Sequence, residues 1–197
     1  CYFGLDIFGL APMYRRAAER GELTVIEETE MTVAFGLRAA RAGTDFMPVR
    51  NFAGTDMLRV RPDLKMIASP YSDDVYVAVP ALRPDVAIIH AVLADADGNA
   101  VFGSAASLDT DIAAAARVTI VTAEHIVDTE AIAARGADVL GMYVDHVVHA
   151  PRGAWPASCL PDYNADFGLL ADYVEACQRD AFAAFVRERL QSGVDTP

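Results

Sequence analysis

Short runs of β-branched and apolar residues alternate with helical patterns along this chain of 197 residues. The run at Val86–Leu93 shows the strand character most clearly, in both length and composition. Strands that alternate with helices are typical of an α/β fold. The predicted strands are Tyr2–Leu5, Leu23–Glu27, Phe46–Val49, Val75–Val79, Val86–Leu93, Val118–Thr122 and Val144–His149.

Helical patterns occupy several of the intervals between these strands. Within GLAPMYRRAAERGE, Pro12 suits a first turn and Gly21 lies just beyond a last one. Thr29 can cap a second helix, with Glu30 in its first turn and Gly43 at its end. Further helices are predicted at Asp109–Arg117, Phe167–Cys177 and Asp180–Leu190.

The bulk properties narrow the class of protein. The length suits a single domain over residues 1–197. No apolar run approaches the roughly 20 residues of a membrane span, and a net charge of −12 argues against nucleic acid as a partner. Cys1, Cys159 and Cys177 show no C-x-x-C spacing, so neither a disulfide framework nor a zinc site is expected. A reducing cytoplasm is the simplest compartment.

The first residues, CYFGL, lack an initiator Met and are apolar and aromatic. A strand of this composition would favour aggregation if it were an exposed end of the chain. We therefore expect an internal strand of a longer protein, whose N-terminal part is absent here. Residues 50–74 and 150–165 show no periodicity and are predicted to be long loops, of a kind that often carries function.

The stretch HAVLADADGNAVFG places Asp95, Asp97 and Asn99 at alternate positions, as in a calcium-binding loop. Counted from Asp95, however, the sixth position is not Gly and the twelfth is not Glu, so the bend and the bidentate ligand of an EF-hand are both missing. Gly98, with Asp97 before it and Asn99 after it, forms two turn dipeptides. We predict a turn between two strands here and no metal site.

Other familiar site patterns are missing or have a structural explanation. G-x-G-x-x-G, G-x-x-x-x-G-K-[ST] and G-x-S-x-G do not occur, which argues against a nucleotide-dependent dehydrogenase, a P-loop NTPase and an α/β-hydrolase. His90 lies inside an apolar strand and is predicted to be a satisfied core histidine. His146 and His149 are three apart in a predicted strand, so they point to opposite faces and do not suit a shared metal.

Glu27, Glu28 and Glu30 form an acidic cluster where a predicted strand gives way to a helix. Acidic side chains are common in a first helical turn, because unpaired N–H groups and the helix dipole favour negative charge there. The alternative is a functional carboxylate at the carboxyl edge of the sheet, where open α/β folds bind ligands. Both interpretations stay open at this point.

Three segments resemble the α subunit of family I CoA-transferases, above all the glutaconate and 3-oxoacid types. They are residues 2–58, YVAVPALRPDVAIIHAVLADADGNAVF and AARVTIVTAEHIV, and RPDVAIIHAVLADADGN is their most specific part. The resemblance implies an open, mostly parallel sheet flanked by helices, the NagB–RpiA-like fold. Family members begin with a Gly-rich loop, a strand and a helix that this chain lacks, so the resemblance also implies an N-terminally incomplete domain.

The resemblance further implies a reaction and a partner. In this family a glutamate attacks an acyl-CoA thioester and forms an acyl-glutamyl anhydride, then a glutamyl-CoA thioester that passes CoA to a second carboxylate. That glutamate lies in a homologous β subunit, within Glu-Asn-Gly or Glu-Ser-Gly, and neither tripeptide occurs here. The chain would be one subunit of an enzyme, often an α2β2 heterotetramer, and inactive by itself. CoA enters as part of the substrate, with no other cofactor.

Site residues follow from the same resemblance. Gly98 and Asn99 match the family's Gly-Asn at a bend near the subunit interface, and Glu27, Glu30 and Arg50 are implied in the substrate cleft. Some α-like chains resemble hydrolases that open a ring C–C bond of cyclic CoA esters in steroid breakdown. Their glutamate lies in a segment similar to EETEMTV, which makes Glu30 the candidate catalytic residue, with its two glutamate neighbours as alternatives. A non-catalytic ligand-binding subunit is a third possibility.

Overall fold

The structure is a computed structural model that describes residues 8–50, 52, 54–103 and 107–191. The predicted strand Tyr2–Leu5 lies outside these residues. The chain divides into two compact units, one of residues 27–153 and one that joins residues 1–26 to residues 154–197. A single domain over the whole chain stays a prediction.

The helices and strands confirm an α/β fold. The strands are β1 (Phe46–Val49), β2 (Lys65–Ala68), β3 (Val75–Pro80), β4 (Val86–Ala94), β5 (Ala100–Val101), β6 (Val118–Ile126) and β7 (His146–His149). The helices are α1 (Pro12–Glu19), α2 (Glu30–Arg41), α3 (Met57–Val60), α4 (Asp109–Ala115), α5 (Thr129–Arg135), α6 (Phe167–Gln178) and α7 (Phe182–Gln191). Within the described ranges, no helix is long and apolar enough to cross a membrane.

A four-stranded sheet in the order β5-β4-β6-β7 forms the larger core. Strands β4, β6 and β7 run parallel, and β5 returns antiparallel to the end of β4. Side chains of β4 alternate, so that Ala87, Ile89 and Ala91 are buried beside Val121 of β6. Helix α4 contributes Ala113 to this cluster. The mostly parallel sheet implied by the resemblance is found here.

A second, three-stranded sheet is antiparallel in the order β1-β3-β2. Val49, Val77 and Val79 are buried in its core together with Phe52 and Leu64. Its strand β2 and the short helix α3 both fall within residues 50–74, so the prediction of a continuous loop there is wrong. The four residues of β2, KMIA, start with Lys and follow closely after Pro62 and Asp63. A strand this short, next to residues that favour turns, has no clear pattern in the sequence.

The predicted strand at Leu23–Glu27 is wrong. In the structure Val25 and Ile26 are 49% and 65% exposed and belong to no sheet. The β-branched residues favour an extended backbone, but no strand in the described part of the chain pairs with them. The β propensity of these residues is therefore not sufficient for a strand. The segment is extended and continues into helix α2.

The other unit contains helices α1, α6 and α7. Arg16 Nη2 donates a hydrogen bond of 2.6 Å to the Cys177 carbonyl oxygen, which joins α1 to α6. The ring of Tyr173 meets Phe182 edge to face, with centroids 6.0 Å apart, and thereby connects α6 with α7. The helix predicted at Asp180–Leu190 begins two residues later, because Asp180 adopts a left-handed backbone with φ of 58°.

Candidate functional site

The acidic segment, residues Glu27 to Glu30, leads into the first turn of helix α2. Thr29 caps this helix: its Oγ1 accepts a hydrogen bond of 3.1 Å from the Thr32 N–H, and Thr32 Oγ1 accepts one of 2.8 Å from the Thr29 N–H. This reciprocal cap satisfies donors that helical bonding leaves unpaired. The predicted helix start is confirmed, and Glu30 is the first helical residue.

The three glutamates of the acidic segment have different surroundings. Glu28 forms an ion pair with Arg61. Glu27 and Glu30 are exposed, and their carboxylates make no hydrogen bond or ion pair with the described part of the chain. Glu30 lies in the first helical turn, where the helix dipole stabilises an acidic side chain by about 0.3–1 kcal/mol. Glu27 and Glu30 are therefore the carboxylates of this segment that are available to a ligand.

Arg61 follows helix α3 and holds the acidic segment in place. Its Nε and Nη2 donate hydrogen bonds of 2.8 and 2.7 Å to the two carboxylate oxygens of Asp63, and its Nη1 donates one of 2.9 Å to the Glu27 carbonyl oxygen. The hydrogen bonds from Arg61 hold the pKa of Asp63 below its ordinary value. Sequence analysis missed Arg61, which lies in a predicted loop and whose only local signal is the Asp two residues later.

A small open pocket of about 140 Å³ lies beside the first turn of helix α2. Glu28, Thr32 and Val33 line one wall, Arg61 and Asp63 line another, and residues 79–82 at the end of β3 complete it. The wall of residues 79–82 is close to the helix, since a Cβ added at Gly36 would lie 3.0 Å from the Pro80 carbonyl oxygen. Only a glycine permits this approach of α2 to β3 without displacement.

Arg50, the other candidate in this unit, lies directly after β1. It forms an ion pair with Asp74 and lies over the Tyr76 ring, with its guanidinium carbon 5.7 Å from the centroid. The hydrogen bond to Asp74 raises the pKa of Arg50 and lowers that of Asp74. The structure thus pairs Arg50 with Asp74 on the antiparallel sheet and not with a glutamate of the acidic segment.

The bend at Gly98 and Asn99 is folded around the buried carboxylate of Asp95. Its Oδ1 accepts hydrogen bonds of 3.0 Å from the Asp97 N–H and 2.9 Å from the Asn99 N–H. Its Oδ2 accepts one of 2.8 Å from Asn99 Nδ2. The predicted turn between two strands is confirmed, because β4 and β5 pair on either side of it. The alternating acidic pattern is explained by one carboxylate that binds the turn's own donors.

Burial and hydrogen bonding oppose each other at Asp95. Burial by itself would raise the pKa of this carboxyl group, since it removes water from the charged form. The hydrogen bonds from Asn99 and Asp97 favour the charged form and outweigh burial, so the pKa of Asp95 lies below its ordinary value. Asp95 is therefore an anionic structural centre of the hairpin.

The same hairpin packs tightly against the segment before β7. Asn99 Oδ1 accepts a hydrogen bond of 3.0 Å from the Gly141 N–H. Gly98 has φ of 91°, and a Cβ added there would lie 2.8 Å from the Val144 Cβ. A Cβ at Gly141 would overlap the Asp97 carbonyl oxygen. Gly98 and Asn99 thus hold a bend whose shape is fixed on both sides.

His90 and Glu124 lie on neighbouring parallel strands, and a part-buried hydrogen bond joins their side chains. His90 Nε2 is 2.7 Å from Glu124 Oε1, and His90 Nδ1 is 2.8 Å from Thr122 Oγ1. The Arg152 N–H donates to the second oxygen of Glu124, and His149 Nε2 is 3.1 Å from the Glu124 carbonyl oxygen. Both ring nitrogens of His90 are therefore hydrogen-bonded, as predicted, although its side chain is only partly buried.

All buried carboxylates in the described residues are already occupied. Asp95 binds the hairpin donors, Glu124 binds His90, and Asp111 accepts hydrogen bonds of 2.8 Å from Arg38 Nε and 3.4 Å from Arg41 Nη1. A carboxylate nucleophile must be both desolvated and free to approach its substrate. Within the described ranges, no carboxylate combines the two properties.

Comparison with known proteins identifies the family of this chain. The family model described as Coenzyme A transferase matches residues 2–150. The A subunit of glutaconate CoA-transferase from Acidaminococcus fermentans is 35% identical over 195 residues, which cover 89% of this chain and 61% of that protein. The cholesterol ring-cleaving hydrolase IpdA subunit of Rhodococcus jostii is 33% identical, covering 98% of this chain and 71% of that protein.

Two solved structures of proteins of this kind also match the fold of this chain. The crystal structure of glutaconate coenzyme A-transferase from Acidaminococcus fermentans matches 91% of this chain and 63% of that one, with a TM-score of 0.81 and 33% identity. A variant of the decarboxylase AibA/AibB matches 91% of this chain and 66% of that one, with a TM-score of 0.82 and 32% identity. This chain spans less than two thirds of the glutaconate CoA-transferase relative. It belongs to the coenzyme A transferase family and is similar to the A subunits of that family.

Proposed function

We propose that this chain is the α subunit of a heteromeric CoA-transferase, which moves CoA between an acyl-CoA and a free carboxylic acid. The proposal rests on family membership and on the similarity to the A subunit of glutaconate CoA-transferase. The partner would be a homologous β subunit in an α2β2 assembly. CoA would take part as a portion of the substrate, with no further cofactor.

The contacts of the buried carboxylates support different catalytic roles for the two subunits. The buried carboxylates of the described residues are held by protein donors, and their use as nucleophiles would disrupt the fold. The sequence also lacks Glu-Asn-Gly and Glu-Ser-Gly. The attacking glutamate would therefore come from the β subunit, which faces the cleft with a carboxylate that this chain helps to desolvate.

The candidate residues of this chain would shape that cleft. Glu27 and Glu30 have accessible carboxylates, and Arg50 has a guanidinium that could exchange Asp74 for a substrate carboxylate. Arginine suits this role because its planar donors bind a carboxylate at two points. Gly98 and Asn99 would act indirectly, since their bend is fixed by Asp95 and the segment at Gly141.

An exposed apolar face supports an assembly with further polypeptide. Val86 and Ile88 of β4 are 49% and 72% exposed, and Val148 of β7 is 45% exposed on the same face of the parallel sheet. Parallel sheets are normally covered on both faces. Light scattering of the full-length protein with its partner should give the mass of a heteromer, and a fully active monomer would contradict the proposed assembly.

CoA transfer by the full-length protein, copurified with its β partner, tests the proposed activity. We expect CoA to move from an acyl-CoA to an added short-chain carboxylic or dicarboxylic acid, with no net loss of thioester. Each of the two subunits by itself is the control and should be inactive. Rapid hydrolysis of the thioester or of a C–C bond in the absence of any acceptor acid would contradict a transferase.

A second candidate is a hydrolase that opens a ring of a cyclic CoA ester, with Glu30 as the general base. The accessible carboxylate of Glu30 and the similarity to the IpdA subunit favour it. It predicts that Glu30→Gln abolishes turnover with little loss of stability. Glu130→Gln is the matched control, because Glu130 is also exposed in the first turn of a helix, α5. Full turnover by Glu30→Gln would exclude this candidate.

A non-catalytic ligand-binding subunit is the remaining possibility. Calorimetric titration of the complex with acyl-CoA separates it from the two enzymes. Binding of acyl-CoA without any turnover, in the presence and absence of acceptor acid, would favour it.

A further inference from the structure

We infer that Arg61 is a positioning residue, which holds the acidic segment in the geometry needed for Glu30 to face the substrate cleft. This inference rests on the proposed function in that it assigns Glu30 to the cleft. It names a residue 34 positions away from Glu27 in the sequence, in a stretch predicted to be a loop.

All three guanidinium nitrogens of Arg61 donate hydrogen bonds to the protein. Its side chain is 11% exposed, although it follows a short surface helix. The two-point contact with Asp63 fixes the plane of the guanidinium group, with hydrogen bonds of 2.8 and 2.7 Å. The remaining Nη1 then points at the Glu27 carbonyl oxygen, 2.9 Å away, and at the Glu28 carboxylate. Arg61 thus joins both the backbone and a side chain of the acidic segment to Asp63.

The acidic segment makes few other hydrogen bonds or ion pairs with the described residues before the helix cap. Residues 24–29 form neither helix nor strand, and Glu27 and Glu28 are exposed. The cap at Thr29 determines where helix α2 starts but not the direction from which the chain reaches it. Among the hydrogen bonds and ion pairs of the described residues, those with Arg61 tie the chain before the cap to the body of its unit.

Arg61 also determines which carboxylates of the acidic segment remain without an ion pair. Arg61 neutralises Glu28, so Glu28 is held as part of the support. Glu30 keeps a carboxylate without a partner in the described part of the chain, two residues beyond the ion pair. Glu28 thereby has a structural role, whereas the carboxylate of Glu30 remains available to a substrate. A lysine could keep the charge but not the two-point contact with Asp63.

The test compares Arg61→Gln, Arg61→Lys and a control in the full-length protein with its β partner. Arg59→Gln is the control, because Arg59 lies in the same helix α3 with a side chain 74% exposed. We expect Arg61→Gln to lower kcat at least tenfold while KM stays within about twofold. Arg61→Lys should recover part of the loss, and Arg59→Gln should match the unchanged protein.

A double variant separates positioning of Glu30 from a general loss of structure. In the background of Glu30→Gln, the further change Arg61→Gln should have no additional effect on kcat, whereas a residue that acts elsewhere would lower it again. Unchanged kcat in Arg61→Gln, or a full additional loss in the double variant, would overturn the inference. The double variant gives this readout for transfer. For hydrolysis, where Glu30→Gln abolishes turnover, the comparison of Arg61→Gln with Arg61→Lys and Arg59→Gln gives it, so a complex that hydrolyses contradicts the proposed transferase but not the role of Arg61.

Hydrogen exchange gives a readout that needs no activity. In Arg61→Gln the amides of residues 27–33 should exchange at least tenfold faster, whereas those of the β4–β5 hairpin should not change. Arg59→Gln should leave both regions unchanged. Unaltered exchange of residues 27–33 in Arg61→Gln would show that the segment does not depend on Arg61, and would overturn the inference whatever the complex catalyses.

Discussion

The acidic segment and the β4–β5 hairpin both contain closely spaced acidic residues, and the structure uses them in opposite ways. In the hairpin, Asp95 is fully buried and binds three donors of its own turn. In the acidic segment, Glu30 is exposed and its carboxylate has no partner in the described part of the chain. A carboxylate that is occupied by donors supports the fold, and one that is free can meet a substrate.

Removal of the Asp95 carboxylate should give the largest effect on stability. Asp95→Ala leaves the N–H groups of Asp97 and Asn99 without their acceptor inside the turn, and we expect the free energy of unfolding to fall by about 3–4 kcal/mol. Urea denaturation measures it. Asp97→Ala is the control, since Asp97 is exposed, and should change stability by no more than about 0.5 kcal/mol. Equal losses of stability in Asp95→Ala and Asp97→Ala would contradict the structural role of the Asp95 carboxylate.

A substitution at Gly98 in the bend should destabilise the protein nearly as much as Asp95→Ala. Gly98→Ala places a Cβ against Val144 and forces an L side chain into a left-handed backbone, so the free energy of unfolding should fall by about 2–3 kcal/mol. Gly43→Ala has a similar φ, 69°, but no atom within 4 Å of the added Cβ. It should cost only about 1 kcal/mol. If thermal or urea unfolding gave the same loss for both, packing at Gly98 would be irrelevant.

The hairpin should also make the protein sensitive to acid. The pKa of Asp95 is lower in the folded protein than in the unfolded chain, where it is about 3.9. Its contribution to stability is therefore complete above the unfolded pKa and is lost as the pH falls through the lower, folded pKa. Asp95→Asn should flatten the fall in stability below about pH 4, as followed by urea denaturation at several pH values. An unchanged slope would contradict this role.

The smallest effect on stability is expected for Glu30 in the acidic segment. Glu30→Gln removes a favourable charge from the first turn of helix α2, and the free energy of unfolding should fall by at most about 0.5 kcal/mol. The same urea experiment measures it. A loss of several kcal/mol would show that Glu30 is held by contacts that the described structure does not contain, and it would weaken its assignment to the cleft.

Local features of the sequence predicted the start of helix α2 and the turn at Gly98 well. Thr29 and Thr32 lie three residues apart, and the donors of Asp95 come from the next four residues, so both structures are decided by near neighbours. The alternation of apolar residues in β4 likewise follows from the two-residue period of a strand.

Features that depend on distant residues could not be predicted in the same way. The role of Arg61 requires Glu27 and Glu28 to fold back against a residue more than thirty positions later. The segment at Leu23–Glu27 has the composition of a strand, but pairing decides whether it becomes one. Arg50 pairs with Asp74, which lies 24 residues later, and no local pattern in the sequence indicates that contact.

The location of the covalent CoA adduct tests the central proposal most directly. The full-length complex would be incubated with acyl-CoA without acceptor acid, and the intact masses of both subunits would be measured at once. We predict an increase by the mass of bound CoA on the β subunit, with none on the subunit that contains this chain. A CoA adduct on a glutamate of this chain, or turnover of acyl-CoA by this chain without its partner, would contradict the account.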